Sequence, residues 1–162
     1  MNDTTLYIQI PSPIGDLLLD GTEDALQGLH MSPAAPRPGW RKAREPFANA
    51  IDQLEQYFAG ERVDFDLELD LRGTRFQQDV WSALLTIPYG ETRSYGEIAR
   101  QIGRPDRARA VGAANGSNPV SIIVPCHRVI GSDGSLTGYG GGLDRKRFLL
   151  DLESGVGSLL TA

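Results

Sequence analysis

The chain has a single cysteine, Cys126, in 162 residues. An internal disulfide and a cysteine-rich zinc site are therefore excluded, and no metal is expected. Histidine is nearly as scarce, being limited to His30 and His127. No apolar run approaches the length of a membrane span, and Met1 to Thr5 lacks the basic start and apolar stretch of a signal peptide. A cytoplasmic protein with no membrane partner is expected. A basic excess is missing too: the formal net charge is −5, which at first sight argues against nucleic acid.

The charge is unevenly placed, however. Residues 1–72 carry 6 Lys/Arg against 13 Asp/Glu, and residues 73–162 carry 10 against 8. The second stretch is the basic one, and in it Arg93, Arg100, Arg104, Arg107 and Arg109 face only Glu97 and Asp106. Such a footprint suits phosphates, although a solvated helical face would look the same.

Two domains are expected, 1–72 and 73–162. In the first, Leu6 to Ile10, Asp16 to Asp20 and Ala25 to Met31 are short apolar-rich segments punctuated by Pro-Ser-Pro-Ile-Gly and Gly-Thr-Glu-Asp, the pattern of a three-stranded antiparallel meander. Ser32 to Pro46 reads as a surface loop. Phe47, Ile51, Leu54 and Phe58 recur at helical spacing before Gly60, so they form a core stripe. Val63 to Leu71 alternates apolar residues with carboxylates, as in a strand with one wet face or an extended linker. His30 is assigned no chemistry.

The second domain opens on a capping box, Thr74 with Gln77, and a second box, Ser94 with Glu97, starts another helix that Gly103 ends. Asp106 is placed to cap the helix after it, over 107–116. The pair makes a helix-turn-helix candidate. Its second helix offers Ala108, Ala110, Gly112 and other small residues, with Arg109 as the one long side chain. It can read little base sequence, but it can approach a narrow groove closely. The last helix, about Asp144 to Leu152, is expected to turn Phe148, Leu149 and Leu152 inward and Lys146 outward. Glu153 lies at its C-terminal end, where the helix dipole disfavours an anion, so it is locally misplaced.

Between these helices lies Ile122-Ile123-Val124-Pro125-Cys126-His127-Arg128-Val129-Ile130. The β-branched run suits a short buried strand, which Pro125 ends. A lone cysteine after such a run is ordinarily a small core hydrophobe. Here His and Arg follow at once, and thiolate chemistry needs a proton acceptor and positive charge near the sulfur. In a regular strand Cys126 and His127 would point apart, so they cooperate only if the backbone turns or a water bridges them. Glu153 could orient His127 as the third member of a Cys-His-Glu relay. The glycine-rich segment around Tyr139 lacks the spacing of a phosphate loop and better suits a backbone closing on a planar ligand.

Pro125-Cys126-His127-Arg128-Val129, preceded by Arg109-Ala110-Val111-Gly112 and Asn118-Pro119 and followed by Tyr139-Gly140-Gly141-Gly142, closely resembles the O6-alkylguanine-DNA alkyltransferases, or methylated-DNA–protein-cysteine methyltransferases. The resemblance extends from about Gly73 to Glu153, and 1–72 resembles the family's N-terminal domain. It implies an α+β fold: a small ribonuclease H-like antiparallel sheet with a helix, then a mostly helical domain with a winged-helix-like helix-turn-helix. It implies a stoichiometric, self-inactivating methyltransferase without cofactor that repairs O6-alkylguanine, and O4-alkylthymine, in double-stranded DNA. A monomer is expected, with cooperative loading on DNA left open.

Position by position, the resemblance makes Cys126 the acceptor thiolate, His127 its base through a water, and Glu153 the partner that orients His127. Arg109 would fill the space left by the flipped nucleotide, with Ala108, Ala110 and Gly112 lying along the groove. Tyr95 would press on the adjacent phosphate and bond the guanine ring, and Asn118 would fix the turn before the active-site segment. The Cys126 and Val129 carbonyls would accept from the guanine amine, while Tyr139 and the Gly140 N–H close over the base. Two rivals differ in class: a non-catalytic lesion sensor, against which Cys126 argues directly, and a thiol hydrolase, which would have no use for Arg109.

Overall fold

The computed structural model describes residues 4–137, Tyr139 and 141–155. The chain divides into two compact units, Met1–Arg72 and Gly73–Ala162, and its class is mixed α+β. In the first unit, β1 (Leu6–Ile10), β2 (Leu17–Gly21) and β3 (Leu26–Met31) form the antiparallel meander read from the turn residues. The segment expected to be only a loop adds a fourth strand, β4 (Arg41–Lys42), parallel to β1, giving the order β3-β2-β1-β4.

Leu6, Ile8 and Ile10 turn inward from β1, while all of β2 is buried. Helix α1 (Ala48–Phe58) supplies Ala50, Ile51, Leu54 and Tyr57 to the core. Tyr57, not the expected Phe58, completes the stripe, because Phe65 of the returning chain packs its ring 5.4 Å from that of Tyr57. His30 pairs with Asp20 at 2.9 Å over the bare backbone of Gly28, where a Cβ would collide with both side chains.

The alternating segment after α1 pairs as a strand at one point only, a parallel bridge between Leu26 and Leu69. The reason is visible at Asp66: its N–H donates to Gln53 Oε1 and its carbonyl accepts from Gln53 Nε2, both at 2.9 Å. With those groups taken by a side chain, a longer ladder cannot form there.

In the second unit, α2 (Arg75–Leu84) and α3 (Tyr95–Gln101) begin at complete capping boxes, Thr74 with Gln77 and Ser94 with Glu97. Each satisfies two main-chain N–H groups that a helix start leaves open. After α3 the chain turns at Gly103, φ 76°, into α4 (Ala108–Gly116), so a helix-turn-helix is present. Asp106 does not cap α4. Its N-cap is Arg107, which makes no side-chain capping bond and lies instead over the ring of Phe76, 5.3 Å from its centre. Trp81 of α2, buried, donates from Nε1 to the Ala114 carbonyl at 2.9 Å and so braces α4. A two-stranded parallel sheet, β5 (Arg93–Ser94) with β6 (Val129–Ile130), ties the start of α3 to the residues just beyond the cysteine, and α5 (Leu143–Ser154) follows.

Candidate active site

The run Ile122 to Val124 is buried as expected, but it is a turn and not a strand. Ile122 has φ 74°, a left-handed conformation that a β-branched residue rarely adopts and that no strand can contain. The turn is held by its own backbone, with Val124 N–H donating to the Val120 carbonyl at 3.0 Å and Ile123 N–H to that of Ser121 at 2.9 Å. Asn118 clamps it from outside: Nδ2 donates to the Val124 carbonyl at 2.8 Å, and Oδ1 accepts from Val120 N–H at 3.0 Å. The backbone strain at Ile122 is thus outweighed by bonds made by its neighbours.

Pro125 then starts a single 3-10 turn, Cys126–Arg128, so the thiol and the imidazole do not project from a flat strand. Asn115 of α4 donates from Nδ2 to the Cys126 carbonyl at 3.3 Å, joining that helix to the reactive turn. His127 is fully buried, with Nε2 at 2.7 Å from Glu153 Oε2. Its Nδ1 has no protein hydrogen-bond partner among the described residues. Glu153 also accepts from Arg128, Nε to Oε1 at 2.7 Å and Nη2 to Oε2 at 3.0 Å. The guanidinium is completed by Nη1 donating to the Ile87 carbonyl at 2.7 Å and by the ring of Tyr89, 5.8 Å away. At Gly90, φ 82°, the chain passes so close to the end of α5 that a Cβ would stand 3.2 Å from the Glu153 carbonyl oxygen.

These surroundings decide the protonation states. Burial pushes the Cys126 thiol up, opposed by the Asn118 amide, the Lys146 charge and the Tyr139 hydroxyl. Burial pushes His127 down, against the pull of Glu153, so the imidazole is kept neutral and able to accept a proton. Burial alone would raise Glu153, but the bonds from His127 and Arg128 prevail and hold it down at about 2. A neutral base next to a buried thiol, backed by a fixed carboxylate, can take up the thiol proton when an electrophile arrives.

The remaining residues singled out by the sequence fall as follows. Arg109 is exposed on α4, with Ala108, Ala110 and Gly112 half-buried beside it, and Gly112 faces the ring of Tyr95. Tyr95, the first residue of α3, shares a hydrogen bond of 3.0 Å with Thr137 Oγ1. The Val129 carbonyl accepts from Lys146 Nζ at 2.6 Å, which leaves it a second lone pair. Tyr139 is half-buried, and burial followed by the nearby Cys126 raises its phenol well above the usual value. Gly140 lies outside the described residues.

Lys146 is not outward. It is fully buried, whereas Phe148, expected inside, is 38% exposed. Lys146, Leu149 and Glu153 are spaced three and four apart, which places them on one helical face, the inner one. Arg128, Lys146 and Asn115 are the site neighbours that sequence reasoning left without a role. For Arg128 a signal existed: a carboxylate misplaced at a helix C-terminus implies a buried cation to hold it.

Residues 75–155 match the family described as 6-O-methylguanine DNA methyltransferase, DNA binding domain, and residues 5–71 match its ribonuclease-like domain. The methylated-DNA–protein-cysteine methyltransferase of Mycobacterium tuberculosis is 63% identical over 150 residues, covering 91% of each chain. That of Methanosarcina acetivorans is 53% identical over 151 residues, 91% of this chain and 97% of that one. The crystal structure of Mycobacterium tuberculosis OGT in complex with DNA superposes with a TM-score of 0.89 at 63% identity over 93% of each chain.

Proposed function

The chain belongs to the 6-O-methylguanine DNA methyltransferase family and repairs DNA by alkyl transfer; within that activity we propose that Cys126 is the acceptor and that His127, Glu153 and Arg109 carry its chemistry and access. The observation that supports this reading best is the 2.7 Å bond between His127 and Glu153 beside the chain's one thiol, with Nδ1 of the imidazole left for the proton.

The partner is double-stranded DNA carrying O6-alkylguanine, and O4-alkylthymine is accepted by the same route. The O6 atom lies inside the duplex, so the base must be flipped out, at about a few kcal/mol. Helix α4 serves this step. Its small residues let it lie along the minor groove, and Arg109, exposed on this helix, occupies the vacated place in the stack. Tyr95 bears on the neighbouring phosphate, and Asn118 keeps the cysteine turn in register with α4.

At the base, the thiol proton passes through a bridging water to His127 Nδ1. The sulfur forms its bond to the alkyl carbon as the carbon–O6 bond breaks, and the electron pair leaves on the purine. The proton then ends on the guanine ring, so thiol and O6-alkylguanine become thioether and guanine. The Cys126 and Val129 carbonyls, Tyr139 and the Gly140 N–H hold the leaving base, because fixed donors and acceptors are most effective where charge develops. The protein acts in the cytoplasm and needs no cofactor.

No group in this set can cleave a thioether. Incubation with excess methylated duplex should therefore raise the intact-protein mass by one methyl group and no further. Transfer of more alkyl groups than there are protein molecules would overturn the single-turnover reading. Arg109→Ala should slow repair of duplex by roughly 10- to 100-fold, the equivalent of about 1–3 kcal/mol, while leaving reaction with free O6-benzylguanine nearly unchanged. Equal losses on both substrates would remove Arg109 from flipping.

A further inference from the structure

Tyr95 is fixed at three points. Its backbone opens α3 directly after β5, which pairs with β6, and behind the capping box of Ser94 and Glu97. Its ring lies against α4 at Gly112, where a Cβ would stand 3.7 Å from the ring carbons. Its hydroxyl shares a hydrogen bond of 3.0 Å with Thr137 Oγ1, across 42 residues of chain. Thr137 is held in turn, because its carbonyl accepts from Lys146 Nζ at 2.9 Å while the same ammonium donates to the Val129 carbonyl of β6 at 2.6 Å. The contacts close a ring that runs from β5 through Tyr95, Thr137, Lys146 and β6 back to β5. Within that ring a β-branched side chain, which has few rotamers, keeps its hydroxyl in one place.

A phenol and a threonine hydroxyl each have one hydrogen to give and lone pairs to receive with. The contact between Tyr95 and Thr137 permits either direction. Once Tyr95 gives its hydrogen to the ring of a flipped guanine, one direction is left: Thr137 donates and the Tyr95 oxygen accepts. A hydroxyl whose oxygen accepts a bond is itself a stronger donor, because successive bonds in a chain polarise one another. The gain is greatest when negative charge gathers on the purine, which happens as the carbon–O6 bond breaks. We propose that Thr137 is a positioning residue of the alkyl transfer: its hydroxyl donates to the Tyr95 oxygen and so strengthens the bond that Tyr95 makes to the departing guanine. Thr137 itself neither loses nor gains a proton.

This inference rests on Tyr95 bonding the guanine ring, as the family resemblance implies. Its test uses the full-length protein in excess over a duplex carrying one O6-methylguanine, with the rate of methyl transfer followed over a range of protein concentrations. Thr137→Val keeps the branched shape and removes the hydroxyl. Its saturating rate should fall by about three- to tenfold, the worth of one hydrogen bond, while the half-saturating concentration stays at the parent value. Thr137→Ser restores the hydroxyl and should recover most of the rate. Tyr95→Phe supplies the control that a merely structural role would not pass, because a residue acting through the Tyr95 hydroxyl has nothing left to act on: adding Thr137→Val to Tyr95→Phe should change the rate less than about twofold. An equal loss in both backgrounds would make Thr137 a wall of the pocket and overturn the proposal, as would a loss confined to the half-saturating concentration or a Thr137→Val rate equal to the parent's. If Tyr95→Phe itself reacted as fast as the parent, the placement of Tyr95 at the guanine would fall and the inference with it, whereas a slow Tyr95→Phe beside a parent-like Thr137→Val removes Thr137 alone.

Discussion

Cys126→Ser should abolish alkyl transfer while leaving the protein folded and able to bind alkylated duplex. The side chain is buried, and the change swaps sulfur for a smaller oxygen without disturbing the Asn118 clamp or the His127 to Glu153 pair. The stability change should stay within the ordinary range for a point substitution, roughly 0.5–3 kcal/mol. Chemistry suffers far more. Burial already raises the thiol, and it would oppose ionisation of a hydroxyl, which is intrinsically much harder to deprotonate, all the more. Intact mass and duplex binding measured on one preparation check the expectation: no mass increase, with binding within a few-fold of the parent. A methyl group gained by Cys126→Ser would place the acceptor elsewhere.

The second large effect concerns the pair behind the base. Glu153→Gln should cost about 3–5 kcal/mol, because it leaves the Arg128 guanidinium, 6% exposed, without its anion. Against a typical total of about 5–15 kcal/mol, this is a large share of the whole. The pH dependence carries the same signature. Glu153 sits at about 2 when folded against an ordinary 4.5, so the unfolded chain binds its proton first as pH falls. Its contribution is fully present above the ordinary value and is lost as acidity moves from about 4.5 towards 2. His127 acts in the same direction from its ordinary 6.5 downward, because its buried imidazole resists a proton that the unfolded chain accepts. Urea unfolding at a series of pH values should show a parent that weakens with acid and a Glu153→Gln variant that starts lower and falls less steeply below about 4.5. A variant as stable as the parent, with an identical acid limb, would mean that the Arg128 to Glu153 contact contributes nothing.

Much of the scaffold could be read directly because its causes are local. A capping box needs two residues three apart, and both boxes, at Thr74 and Ser94, are present with reciprocal bonds. The meander follows from turn residues between apolar runs, and the end of α3 follows from a glycine able to take positive φ. Even the misfit at Glu153 was visible, since a carboxylate at a helix C-terminus is wrong by the dipole alone.

What lay beyond reading was set by partners distant in sequence. Ile122 to Val124 has the composition of a strand, yet Asn118 and the local carbonyls take up the backbone groups a neighbouring strand would need. Lys146 has the composition of a surface residue, yet the face it shares with Leu149 and Glu153 points inward, and carbonyls 17 and 9 residues away receive its protons. Glu153 meets His127 across 26 residues and Arg128 across 25. Sequence alone determined the family, the two-part α+β plan and the thiol with its neighbouring histidine, because residue type and short spacing suffice for these. Only the tertiary structure decided which cations surround that thiol and which of them is spoken for, since a buried charge is defined by whatever the folded chain brings within a few ångströms of it.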